Sequence, residues 1–300
     1  MQVIRQIEPL HPLTISAWRL AVAAVVLIGG ALVLRTAGAV VGLLRRSPGR
    51  VAVVALSTAA YQFFYFAAVT HAGVTVATMV SLGLAPVLLF LVPEPDRPPR
   101  RTLADVAVLA TAIAGLVLVS LSAGHGTGGS SPVLGAIEAC ISGVTYAVAT
   151  RAGASLSRAA APTVVTTATM TIGALTLIPL AAAFGGPLYP RDPRAWGWVL
   201  YLGVMTMALA YTFFYAGLRT VPAGSAAIAT LLEPVTAAGL AAGLLGERLG
   251  VAGTVGCVLV VAAVAGLSRT DSRQRPEPVA TSMPAGPDGL VRRGGKRPGR

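Results

Sequence analysis

The stretch from Tyr211 to Leu267, YTFFYAGLRTVPAGSAAIATLLEPVTAAGLAAGLLGERLGVAGTVGCVLVVAAVAGL, decides the reading of the chain. A fainter version begins 150 residues earlier, at Tyr61, as YQFFYFAAVTHAGVTVATMVSLGLAPVLLFLV, followed by RTLADVAVLATAIAGLVLVS. Tyr, Phe, Phe and Tyr stand in the same register in both copies. A proline then interrupts an apolar run in each, Pro86 in the first and Pro234 in the second. An internal repeat of this kind governs architecture before any single residue does.

Composition excludes an ordinary soluble domain. Hydrophobic residues make up 55% of the 300 and charged residues 11%, against roughly a quarter charged in a soluble protein. The apolar residues come in runs of about 20, the length of a helix that crosses the hydrocarbon of a bilayer. The net charge of +12 collects in loops and in the tail, as membrane orientation requires, so nucleic acid is not needed to explain it. Cys140 and Cys257 both lie in apolar runs and read as small packing residues, without a disulfide framework or a metal site.

Nine spans can be drawn: about 14–34, 51–69, 74–92, 103–121, 133–150, 163–184, 196–215, 223–245 and 251–267. The expected fold is therefore all-α and integral to the membrane. Residues 1–121 form a first repeat, 122–132 an external Gly/Ser linker, 133–268 a second repeat, and 269–300 a disordered basic tail. Arg45, Arg46 and Arg50, then Arg97, Arg100 and Arg101, then Arg151 and Arg158 mark cytoplasmic loops, and the tail is cytoplasmic with them. Arg191 and Arg194 dissent. The turn after the first YxFFY has no Arg, whereas its counterpart has Arg219. The two copies are thus expected to be inserted upside down relative to each other, as an odd number of helices per copy would produce. Five per copy would make ten, and the first helix of the first copy is expected to be missing, through a misplaced start or a truncation.

These features resemble the drug/metabolite transporter superfamily, specifically its EamA-like branch. The resemblance is carried by P-L-T-x-x-x-W-R at Pro12 to Arg19, by LLEP at Leu231 to Pro234, by LLGERLG at Leu244 to Gly250, and by the Gly-rich closing helix Gly253 to Gly266. It covers roughly residues 9 to 268. It implies a ten-helix inverted-repeat carrier in the inner membrane, moving small metabolites, amino acids or drugs, usually outward. The chain departs from the pattern in its missing first helix and in having Pro98, Pro99 and Arg100 where the first copy should carry Gly-Glu.

Residue chemistry can be read beside this resemblance. A proline inside a helix removes one amide donor and crowds the carbonyl four residues back. Pro234 is expected to loosen the carbonyl of Thr230, and Pro86 that of Leu82, giving two helix breaks. Inverted-repeat carriers place cargo where broken helices meet near the midplane. Glu233 sits beside Pro234, where a charged acid costs about 2.5–3.5 kcal/mol on insertion scales. It is expected to bind substrate or a coupling proton, with Ser225 and Thr236 near the same face. The alternative is a protonated acid with a structural hydrogen bond. Glu138, continued by Ser142, Thr145 and Tyr146, is expected to form a second polar wall of the cavity, or to make interhelical hydrogen bonds.

Arg19 is expected near the outer end of its span, where it attracts an anion or snorkels to the interface. His71 and His125 fall in external turns. Tyr61 and Tyr65, and Tyr211 and Tyr215, form i, i+4 pairs that read either as interfacial belts or as two gates. Gly239, Gly243, Gly253 and Gly256 offer close-packing faces, within one chain or across a homodimer. Neither a Walker loop nor HExxH, CxxC or GxSxG occurs, so no ATPase, enzyme or cofactor motif is visible. A gradient-driven carrier with a small-molecule cargo is the leading expectation. A membrane scaffold or sensor, and a membrane-embedded enzyme, are the alternatives.

Overall fold

A computed structural model describes residues 10–92, 102–122, 131–236, 239 and 250–274. The arginine-rich 93–101 segment, the linker around His125, Gly243 with LLGERL (residues 244–249), and the end of the basic tail lie outside these residues. The described residues are helical throughout. In chain order the helices are α1 (Pro12–Val33), α2 (Ala37–Arg46), α3 (Pro48–Ala72), α4 (Val74–Leu91), α5 (Leu103–Ser122), α6 (Pro132–Ala159) and α7 (Pro162–Phe184). They continue as α8 (Pro193–Leu202), a π-helical segment (Gly203–Leu209), α9 (Ala210–Gly217), α10 (Ala223–Ala229) and α11 (Val251–Gln274).

Among the described residues seven stretches are long and apolar enough to cross a membrane: α1, α3 to α7, and the composite Pro193–Gly217. Val251–Gly266 is a shorter apolar helix. The chain is accordingly a multi-pass membrane protein. The expected span 223–245 is described only to 236, and there it is not one continuous helix.

Local chemistry sets several helix ends. Proline opens α1, α3, α6, α7 and α8 within the first helical positions, where its missing N–H is harmless. Asp192 caps α8 by accepting from the Arg194 amide at 2.7 Å. One element was not expected. After α1 the chain turns at Arg35, which takes a left-handed φ of 55°, and runs into the short helix α2. Leu43 is buried there against α7, while Arg45 and Arg46 remain exposed.

The core lies where the two halves of the chain meet. α1 packs most extensively on α7 and on the π-helical segment, α3 on α6 and then α7, and α5 on α11. Leu20, Ala23, Ala59, Met170 and Leu177 form one buried cluster; Val51, Val54, Leu156, Val165 and Tyr215 form another. At the α5–α11 crossing, a Cβ on Gly256 would stand 2.7 Å from the Val119 amide nitrogen and 2.8 Å from the Gly115 carbonyl. The Gly256 face is therefore filled within this chain. Gly239 has open space around it. Of the two cysteines, Cys140 is exposed and Cys257 half-buried, so Cys140 is not the interior packing residue expected.

Candidate functional site

The first motif of α1 is stapled to the second half of the chain by its polar side chains. Buried Thr14 donates from Oγ1 to the Gly185 carbonyl at 3.1 Å. Trp18 donates from Nε1 to the Leu188 carbonyl at 2.6 Å and meets the Trp196 ring edge-on at 4.8 Å. Arg19 donates from Nη2 to Thr206 Oγ1 at 2.7 Å. Thr206 stands in the π-helical segment, and its hydroxyl donates back to the Leu202 carbonyl at 2.6 Å. Its lone pairs are thus left to accept from the guanidinium. Gly203 permits this approach: a Cβ there would lie 2.6 Å from the Val22 side chain and 3.0 Å from the Arg19 carbonyl oxygen. Of the two readings of Arg19, an anion-attracting group or a side chain snorkelling to the interface, its contacts do not fit the second. It points inward, and its Nε is shielded from solvent.

Four tyrosines from three helices surround one small cavity. Tyr61 of α3, Tyr146 of α6, and Tyr211 and Tyr215 of α9 line it with Thr58, Ala149, Thr150 and Phe214. Its volume is about 10 Å³, room for roughly one water molecule. The Tyr61 and Tyr146 rings lie 5.0 Å apart. Tyr215 is 2% exposed and hydrogen-bonds with Thr58 and Thr169. Both threonines donate to carbonyls of their own helices, those of Val54 and Val165, so their oxygens are free to accept. Tyr65, one turn on from Tyr61, bonds Thr78 Oγ1 at 2.9 Å. Interfacial belts are therefore corrected: the YxFFY tyrosines of both copies turn inward, and Tyr61 and Tyr211 share one cavity.

The break near Pro234 borders this cluster. α10 ends at Ala229, the backbone turns at Thr230 and Leu231, and residues 232–236 are helical again. Across the turn the Leu231 amide donates to the Ile228 carbonyl and the Glu233 amide to the Thr230 carbonyl, each at 3.0 Å. These are i to i−3 bonds, which tighten the turn that the proline ring prevents from closing normally. The Tyr146 hydroxyl donates to Thr230 Oγ1 at 3.2 Å, tying α6 to the break. At Pro86 the outcome differs. α4 stays helical from Val74 to Leu91 with Pro86 inside it, so the expected second break is absent there.

Glu233 is exposed, yet lies within electrostatic range of Arg19, Tyr61, Tyr65, Tyr146 and Tyr211. Thr236, expected on the same face, is exposed and donates back to the Glu233 carbonyl at 2.8 Å. Ser225 is half-buried on α10.

Glu138 is elsewhere. Its Oε2 is 2.8 Å from His71 Nδ1, pairing the start of α6 with the end of α3. The wall expected from Glu138 to Tyr146 divides accordingly: Ser142 donates to the Tyr61 carbonyl at 3.2 Å, Thr145 bonds carbonyls of its own helix, and only Tyr146 reaches the cavity. Sequence reasoning missed Thr58, Thr150, Thr206 and Phe214. They sit in apolar helices, where nothing in the local pattern marks one face as inward.

Residues 133–269 match the model of the EamA-like transporter family. The uncharacterized transporter YwfM of Bacillus subtilis (strain 168) is 27% identical over 231 residues, which is 74% of each chain. A solved crystal structure of a protein superposes with a TM-score of 0.74 at 21% identity, covering 88% of this chain and 90% of that one. At that identity the likeness concerns the fold. The second half of the chain is thus similar to the EamA-like transporter family, and most of its length is similar to a transporter.

Proposed function

We propose that this protein is a secondary carrier that moves small metabolites, amino acids or drugs outward across the inner membrane by alternating access. The two repeats are inserted in opposite orientations and the C-terminus is cytoplasmic. Cargo passes the tyrosine cluster, and Glu233 at its edge binds the cargo or a coupling proton. One observation carries this reading: tyrosines of both repeats, Tyr61 and Tyr211, line the same cavity, next to a helix interrupted at Thr230. Backbone outside regular helix is tolerated at membrane depth only where protein or a water-filled cavity satisfies it. Half-helix ends there are the usual place for cargo and coupling ions.

The cavity has room for about one water, so this conformation is occluded. Passage then requires the halves to part on one side at a time. Tyr61, Tyr65, Tyr211 and Tyr215 act as its gates. The test compares exported metabolites of cells with and without the intact gene, followed by efflux of the differing solutes from proteoliposomes. A solute lost faster from protein-containing vesicles supports the reading. Equal loss from protein-free vesicles, for every differing solute, removes it.

A further inference from the structure

We propose that Arg19 reads an anionic group on the cargo and that the transported class is small carboxylates; this rests on the carrier reading above. A guanidinium keeps its charge in proteins. Burying one without a partner carries a penalty of several kcal/mol in principle, which pairing or hydrogen bonding must offset. Arg19 has one bond, from Nη2 to neutral Thr206. Its Nε is buried and has no hydrogen-bond partner. Among the described residues no carboxylate is in ion-pair contact with Arg19. Glu233 stands within electrostatic range but not in contact.

The site is thus a fixed positive charge with a donor to spare, held by Thr206 on one side and flanked by the tyrosine cluster. A carboxylate supplies what the guanidinium lacks, and charge-assisted pairing to Arg is strong and directional. A cation placed there would meet like charge. Glu233, within electrostatic range of Arg19, accepts a donor or an ammonium elsewhere on the same cargo.

The experiment loads proteoliposomes of the full chain with three sets of solutes. The first holds small carboxylates (amino, hydroxy and aromatic acids). The second holds their carboxamides, and the third holds simple amines and neutral polyols. Efflux above protein-free vesicles is read by mass spectrometry. The expected result is release of carboxylates at least about tenfold faster than of their carboxamides, in keeping with a charge-assisted hydrogen bond. Arg19→Lys should weaken that preference, and Arg19→Gln should abolish it. Thr206→Val, which frees the guanidinium from its anchor, should raise KM for carboxylates and leave carboxamides unaffected; it decides the matter if Arg19→Gln does not fold. Wild-type release of the second or third set without preference for the first overturns the role of Arg19 and leaves the carrier standing. Release of none of the three overturns both. A carboxylate preference that survives Arg19→Gln overturns the assignment to this residue.

Discussion

The Tyr146 hydroxyl donates to Thr230 Oγ1 at 3.2 Å, joining the middle of α6 to the point where the following helical segment breaks. Thr230 Oγ1 in turn donates to the Ala227 carbonyl at 2.8 Å. The threonine is therefore oriented by its own helix to accept from the tyrosine, and the break is held from two sides.

Tyr146→Phe and Thr230→Val each remove this link. A hydrogen bond of this kind contributes about 1 kcal/mol net, so both variants should fold, with transport reduced several-fold. Because the two residues share the bond, the double variant should be little worse than either single one. Efflux rates of the four proteins check this. Additive losses would mean that the residues act separately.

Tyr215 is packed as tightly as any aromatic ring in the chain. A Cβ on Gly153 would stand 2.8 Å from Tyr215 Cε1. Gly153→Ala should push the ring off Thr58 and Thr169 and destabilise the protein by about 1–3 kcal/mol, the usual range for overpacking. Tyr215→Phe keeps the packing and loses only the hydroxyl bonds, so its thermal midpoint should fall less. Midpoints in the opposite order would contradict the contact.

The His71–Glu138 pair is half-exposed at 32% and 12% of the side chains. Such pairs contribute about 0–1 kcal/mol. Glu138→Gln should therefore shift the thermal midpoint only slightly and leave cargo preference unchanged. A change in which solutes are carried would return Glu138 to the cargo path.

At the α5–α11 crossing, glycine at position 256 allows backbone-to-backbone contact with Gly115 and Val119. Gly256→Leu cannot be accommodated by rotating a side chain, since the obstacles are main-chain atoms. Loss of a monodisperse peak on size-exclusion chromatography in detergent is the expected outcome. Normal elution and a normal midpoint would show that these helices can separate.

Much of this was legible in the sequence, and the reasons are physical. The spans announce themselves because each is an apolar run of bilayer length. The doubled YxFFY signalled that two distant segments do the same work, and Tyr61 and Tyr211 do line one cavity. Pro234 pointed to Thr230 because proline acts at a fixed distance along the chain. Other parts could not be read this way. In a helix that is apolar all round, periodicity does not say which face is inward, so the sequence left Arg19 between an anion-attracting group and an interfacial side chain, and only the structure shows it pointing at Thr206. Pro86 obeys the same local rule as Pro234, yet α4 remains helical, buried at that point among its neighbours. Glu138 found His71, 67 residues away, a pairing that only the packing of α3 on α6 creates.

The most direct test is the efflux rate of a carried solute from proteoliposomes containing the wild type or Glu233→Gln, followed from acidic to alkaline pH. The variant should lose at least about tenfold in rate, as removal of a charged hydrogen-bonding partner does, and its residual rate should no longer follow pH. Transport by Glu233→Gln at the normal rate with the normal pH profile would contradict the role given to this acid.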